Sequence, residues 1–155
     1  MPIVTTIEGR IAQVAIDRPE KRNTLSSELC KDLAREFLEL NDDTRVRSIV
    51  LCGHNNVFCA GLDIEEQLAE NTPIFNEFQK VIDALDALSK PVVAAVSGPA
   101  VSQGAAMLYH CDLVFAGEHA LFSMPGLALG QTPRYGVSLL AVKSGGYKLA
   151  AQKLL

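Results

Sequence analysis

Arg47-Ser48-Ile49-Val50-Leu51-Cys52 is a short apolar run with the pattern of a buried parallel strand, closed by Gly53. A polar loop leads from it into Asn56-Val57-Phe58-Cys59-Ala60-Gly61-Leu62-Asp63-Ile64, where Asp63 stands three residues before Glu66. That spacing is a helix N-terminal capping box, with Ile64 and Leu68 one turn apart on the helix it starts. Gly61 has no Cβ to hold a ligand away from the backbone, and the N–H of Leu62 then lies at the positive end of the helix. A strand, a glycine turn and a helix start in this order predict a site for an anion or a developing oxyanion. A glycine-assisted turn with no ligand would give the same pattern.

A second stretch repeats the arrangement. Lys90-Pro91-Val92-Val93-Ala94-Ala95-Val96-Ser97-Gly98 is a break followed by an apolar strand, and Pro99-Ala100-Val101-Ser102-Gln103-Gly104-Ala105-Ala106-Met107-Leu108 reads as a small-residue turn into a second helix. Two strand-to-helix turns can aim N–H groups at one spot, which is how backbone alone makes an oxyanion hole.

Phe58-Cys59-Ala60-Gly61-Leu62-Asp63-Ile64, then Lys90 to Ala100, then Cys111-Asp112-Leu113-Val114-Phe115-Ala116 resemble the crotonase (enoyl-CoA hydratase/isomerase) superfamily in order and spacing. The match runs along nearly the whole chain, from Ile11-to-Asn23 to Leu155. The resemblance implies an α/β fold, a spiral of repeated β-β-α turns, and a ligand that is a coenzyme A thioester. It implies that the thioester oxygen is held by the N–H groups of Leu62 and Gln103, the latter matching the middle of the family's usual Gly-Gly-Gly. Ala60, Gly61, Asp63, Ile64 and Gly104 would then contact the substrate. No cofactor is implied beyond the coenzyme A that the substrate carries.

With 155 residues the chain fits one domain, 1–155, large enough to bury roughly 70% of its unfolded surface. A charge of −4 argues against a general nucleic-acid or anionic-membrane surface, so coenzyme A, itself an anion, needs a local basic patch. Cys30, Cys52, Cys59 and Cys111 show no metal-ligand pairing and read as free thiols of a reducing compartment. The start of the chain lacks the basic and apolar regions of a signal peptide, and no apolar run approaches the roughly 18 residues of a membrane span, which predicts a cytoplasmic location.

The remaining chain supplies scaffold. Pro2 to Ile7 and Ile11 to Ile16 flank a hairpin turn at Glu8-Gly9-Arg10. The charged loop Asp17-Arg18-Pro19-Glu20-Lys21-Arg22-Asn23 matches the family's loop along the nucleotide of coenzyme A, so Lys21 and Arg22 become candidates for phosphate contacts; a solvated loop is the alternative. Leu25, Leu29, Leu33 and Phe37 mark an amphipathic helix to about Asn41, started by Ser26 or Ser27. Thr72-Pro73 starts another, whose face of Ile74, Phe78, Val81, Ile82, Leu85 and Leu88 ends before Lys90-Pro91. Leu113 to Ala116 and Ala120 to Ser123 read as short strands, and 124–136 as a loop. Val137 to Lys143 and Tyr147 to Leu155 read as helices broken at Ser144-Gly145-Gly146. An ending on Leu154-Leu155 without a stop signal predicts a chain cut short of the C-terminal helices that, by the resemblance, cover the acyl pocket and build trimers.

The proton-moving chemistry is where the pattern departs from the family. Hydratases use two glutamates as a general acid/base pair, and the matching positions here are Ala106 and Gly126. Some isomerases place a carboxylate later. Gly130-Gln131-Thr132-Pro133 resembles the Gly-Gln-Ser-Pro run of the Δ3,Δ2-enoyl-CoA isomerase branch, but Arg134 stands where that carboxylate falls. Tyr135 is a candidate neutral acid, since some decarboxylases of the family use a tyrosine in this loop, and Arg134 is a candidate partner for a substrate carboxylate. Packing at a loop edge and a surface position are the respective alternatives. Cys59 reads as buried filler, and Glu65 and Glu66 as dipole partners of their helix. The expectation is an acyl-CoA-processing protein of isomerase or decarboxylase type, forming a homotrimer or hexamer when full length. A catalytically silent acyl-CoA-binding or assembly module is the alternative.

Overall fold

The computed structural model describes residues 2–154. Strands β1 (Ile3–Glu8) and β2 (Ile11–Ile16) form an antiparallel hairpin, Ile3 facing Ile16, around the left-handed Gly9 (φ 59). β3 (Ser48–Gly53), β4 (Val92–Val96) and β6 (Leu113–Ala116) then add in parallel, giving the order β1-β2-β3-β4-β6. A second sheet pairs β5 (Pro99–Val101) with β7 (Leu121–Ser123), again in parallel. Helices are α1 (Ser27–Asp42), α2 (Ile64–Gln67), α3 (Ile74–Asp86), α4 (Gln103–Leu108) and α5 (Val137–Leu154).

The core follows the two periods seen in the sequence. α1 buries Leu29, Leu33 and Phe37, and α3 buries Ile74, Phe78, Val81, Ile82 and Leu85, against Val14, Ile16, Ile49, Leu51, Val92 and Ala94 of the main sheet. Burial alternates along β3 and β4, so one face is sealed and the other half open. The apolar run at 47–52 therefore forms a parallel strand, but one covered on a single face. All four residues of β6, the edge strand of the main sheet, are exposed.

Helix starts are capped as expected at Ser26, whose Oγ accepts from the N–H of Leu29, and at Thr72, whose Oγ1 accepts from Ile74. α5 kinks at Gly146 (φ 78), inside the expected break. Three expectations are corrected. Pro99 to Val101 is a strand rather than part of a turn, because its backbone pairs with β7 and with Cys59. The capping box at Asp63 is half made, since Glu66 turns to the Ser27 N–H (2.9 Å) and hydroxyl (2.6 Å) at the start of α1. Ile64 and Leu68 are 68% and 81% exposed, because α2 is a single turn that leaves both on its solvent side. The expected strand at Ala120 begins one residue later, and Leu155 lies outside the described residues.

Candidate active site

β5 zips the two turns together. Pro99 O accepts from the N–H groups of Phe58 (3.0 Å) and Cys59 (3.2 Å), and Val101 N–H donates to Cys59 O (2.9 Å). Gly104 completes the seam, because a Cβ there would collide with the Cys59 carbonyl. Gly61 (φ 100) then rests against the second turn. A Cβ on it would lie 3.2 Å from each of Val101 O, Ser102 Cβ and Gln103 Oε1.

The backbone at this junction leaves two donors unspent. Leu25 bridges to Leu62 by donating to Gly61 O (2.8 Å) and accepting from Asp63 N–H (2.8 Å), a parallel pairing that turns the Leu62 N–H away. Among the described residues, neither the Leu62 N–H nor the Gln103 N–H has a hydrogen-bond partner. Ser102, at the first of the three positions where the family has glycine, is held at φ 54, ψ −118, a conformation that costs an L-residue about 1–3 kcal/mol. Strain of this kind concentrates where the backbone is aimed at something.

Side chains brace the first turn from behind. Arg18 pairs with Asp63 at 3.0 Å and donates to Thr24 O, while Asp63 Oδ1 accepts from Glu65 N–H. The Asp63 carboxylate is therefore engaged in holding the loop. Asn23, fully buried, donates to His54 O (3.0 Å) and Val57 O (2.7 Å) and accepts from Arg18 N–H (2.8 Å). Sequence reasoning left Asn23 and Ser102 without roles; a buried asparagine saturated by backbone leaves no local sequence signal. Cys59 is sealed beneath, its thiol pushed up to about 12 by burial, as befits inert filler.

Of the candidate nucleotide contacts, Lys21 pairs with Glu65 at 3.0 Å, whereas Arg22 is exposed with its carbonyl accepting from the Ala60 N–H (3.2 Å). That bond ties the charged loop to the turn at Ala60-Gly61. Ala60 is half-buried and Ile64 open to solvent beside it.

In front of α4 lies a cavity of ≈ 50 Å³, and the residues that line it include Gln103, Ala106, Gly126, Arg134 and Tyr135. Both positions where the resemblance puts the hydratase glutamates thus line one void, and among the described residues no carboxylate lines it. The Tyr135 hydroxyl is buried and has no partner at hydrogen-bonding geometry among the described residues, and burial pushes its phenol up to about 12 against the pull of the adjacent Arg134 guanidinium. Its ring packs edge-on to Phe78, centroids 4.8 Å apart, and its carbonyl accepts from His110 Nε2 (2.9 Å). The Arg134 guanidinium stacks over Phe75 at 4.9 Å. Among the described residues no cluster of His, Cys, Asp and Glu could hold a metal ion, and no helix is long and apolar enough to cross a membrane.

The fold and site define an α/β protein in which two strand-to-helix turns, joined by β5, each leave a backbone N–H without a partner among the described residues. Residues 6–155 match the family model described as enoyl-CoA hydratase/isomerase. The short-chain-enoyl-CoA hydratase of Clostridium acetobutylicum is 34% identical, over 97% of this chain and 59% of its own length. The 2,3-dehydroadipyl-CoA hydratase of Escherichia coli is 31% identical, over 99% and 61%. A crystal structure of an enoyl-CoA hydratase/isomerase from Pseudoalteromonas atlantica superposes with a TM-score of 0.92 at 32% identity, covering 99% of this chain and 61% of that one. The chain belongs to the enoyl-CoA hydratase/isomerase family, within the crotonase superfamily, and spans about six-tenths of the length of these relatives.

Proposed function

We propose that this chain holds the carbonyl of a coenzyme A thioester between the N–H groups of Leu62 and Gln103 and promotes isomerisation or decarboxylation rather than hydration. The observation that carries the reading is the cavity bounded by Ala106 and Gly126, where neither side chain can activate water. Two backbone donors stabilise an enolate without help, and losing one such donor typically costs about 10²–10³ in rate. In a decarboxylation the bond from Cα to the carboxylate breaks, its electron pair enters the thioester enolate, and carbon dioxide leaves. Cα then takes a proton. Tyr135 is suited to supply it, since a phenol raised to about 12 stays protonated at neutral pH. Arg22, and Lys21 on leaving Glu65, would meet the coenzyme A phosphates from the loop tied to Ala60.

A second reading has one observation in its favour. None of the described residues that line the cavity carries a carboxylate to move a proton, as suits a silent acyl-CoA-binding or assembly module. Assembly into a homotrimer or hexamer would use the exposed apolar residues of β6 and β7, including Leu113, Phe115 and Leu121, and is read by light scattering. Turnover separates the readings. A panel of malonyl, enoyl and saturated thioesters is expected to give carbon dioxide release or double-bond migration and no hydration of a crotonyl thioester. Hydration would overturn the residue assignment, and binding with no turnover at all would select the silent module.

A further inference from the structure

The side chain of Gln103 has no counterpart in a glycine triplet, and its orientation is fixed. Ser102 Oγ and Gln103 Oε1 are 2.7 Å apart, and an amide oxygen only accepts, so the hydroxyl donates. The free end of the carboxamide is then its NH2 group, which has no hydrogen-bond partner among the described residues, on a residue that is 7% exposed and lines the cavity. That NH2 group reaches the open space of the cavity, where it can donate to an acceptor from outside the chain.

The surroundings give the acceptor its charge. Where the resemblance puts two glutamates, and hence acceptors for a water, this cavity has donors: the Gln103 amide, the Arg134 guanidinium and the unpartnered Tyr135 hydroxyl. Stacking on Phe75 occupies the face of the guanidinium, and its N–H groups lie in the plane of the fork, where a carboxylate is gripped.

We propose that Gln103 and Arg134 form a carboxylate subsite, so that the preferred substrate is a coenzyme A thioester with a second carboxylate one or two carbons from the thioester carbonyl. The proposal rests on the thioester reading above and names its substrate class. The test is calorimetric titration of the full chain with succinyl-CoA, butyryl-CoA and free coenzyme A. The unsubstituted chain binds the succinyl thioester at least about tenfold more tightly than the butyryl one, the scale of a hydrogen bond to a charged group. Gln103→Met and Arg134→Met each reduce that ratio toward one without changing the affinity for free coenzyme A, and Gln103→Glu, which places an acceptor there, reverses it. Arg134 is exposed, so its variant folds even if a Gln103 variant does not. A ratio near one in the unsubstituted chain, or a ratio that survives both Met variants, overturns the subsite while leaving the thioester reading intact. Failure of all three ligands to bind overturns both.

Discussion

The two halves of the molecule are built differently. From β1 to β5 the chain is closed, with α1 and α3 sealing one face of the sheet and the turns at Gly61 and Ser102 zipped together by β5. From β6 onward it is open. β6 is fully exposed, Leu121, Phe122, Leu139 and Tyr147 face solvent, and a groove of ≈ 850 Å³ runs between α4, β7 and α5. The unspent amides belong to the closed half, whereas Arg134 and Tyr135 belong to the open one. The proposed hold on a carbonyl would need rigid backbone, and the closed half supplies it. Choosing what happens next is left to a loop that can change without disturbing the scaffold.

Large-to-small changes give the strongest contrast between the halves. Phe37→Ala, at a fully buried position in α1, is expected to lower unfolding free energy by about 3–5 kcal/mol, whereas Phe115→Ala on β6, 65% exposed, stays within about 0.5 kcal/mol. Urea denaturation checks both, and comparable losses would mean that the open half is covered in solution.

A smaller effect targets the seam. Gly104→Ala drives a Cβ into the Cys59 carbonyl, with an expected loss of about 1–3 kcal/mol and of thioester affinity by calorimetry. Gly126→Ala across the cavity meets nothing closer than 3.6 Å and leaves stability within about 0.5 kcal/mol. Equal behaviour of the two would dissolve the distinction between a fixed and an adaptable wall.

The smallest effect is read by alkaline titration. The Tyr135 phenol is raised to about 12 in the folded chain, above its ordinary value of 10.0, so its contribution to stability is intact below pH 10 and fades as pH rises from 10 toward 12. Phenolate absorbance should show a late step near pH 12 that disappears in Tyr135→Phe. A step near 10 that disappears instead would place the hydroxyl in solvent.

Much of the closed half was legible in the sequence because its signals are local. The four-residue spacing of Leu25, Leu29, Leu33 and Phe37 marked a buried face, and Ser144-Gly145-Gly146 marked the kink in α5. The site was legible only as far as its backbone. That Glu66 serves α1 rather than its own helix, that Pro99 to Val101 is a strand and that Ser102 is strained depend on partners far away in sequence. Ile64 and Leu68 misled for the same reason, because apolar spacing promises a face to bury and says nothing of whether anything covers it. The donor character of the cavity was hidden too, since a glutamine reads as neutral until its oxygen is seen to be taken by Ser102.

The central claim is that the Leu62 and Gln103 amides hold one carbonyl between them, and proton–nitrogen correlation spectra of the 15N-labelled chain test it most directly. Addition of a saturated acyl-CoA is expected to move both amide protons downfield together, saturating at one ligand concentration, with free coenzyme A failing to do so. If both resonances stay in place while the ligand binds, the thioester sits elsewhere and the account is contradicted.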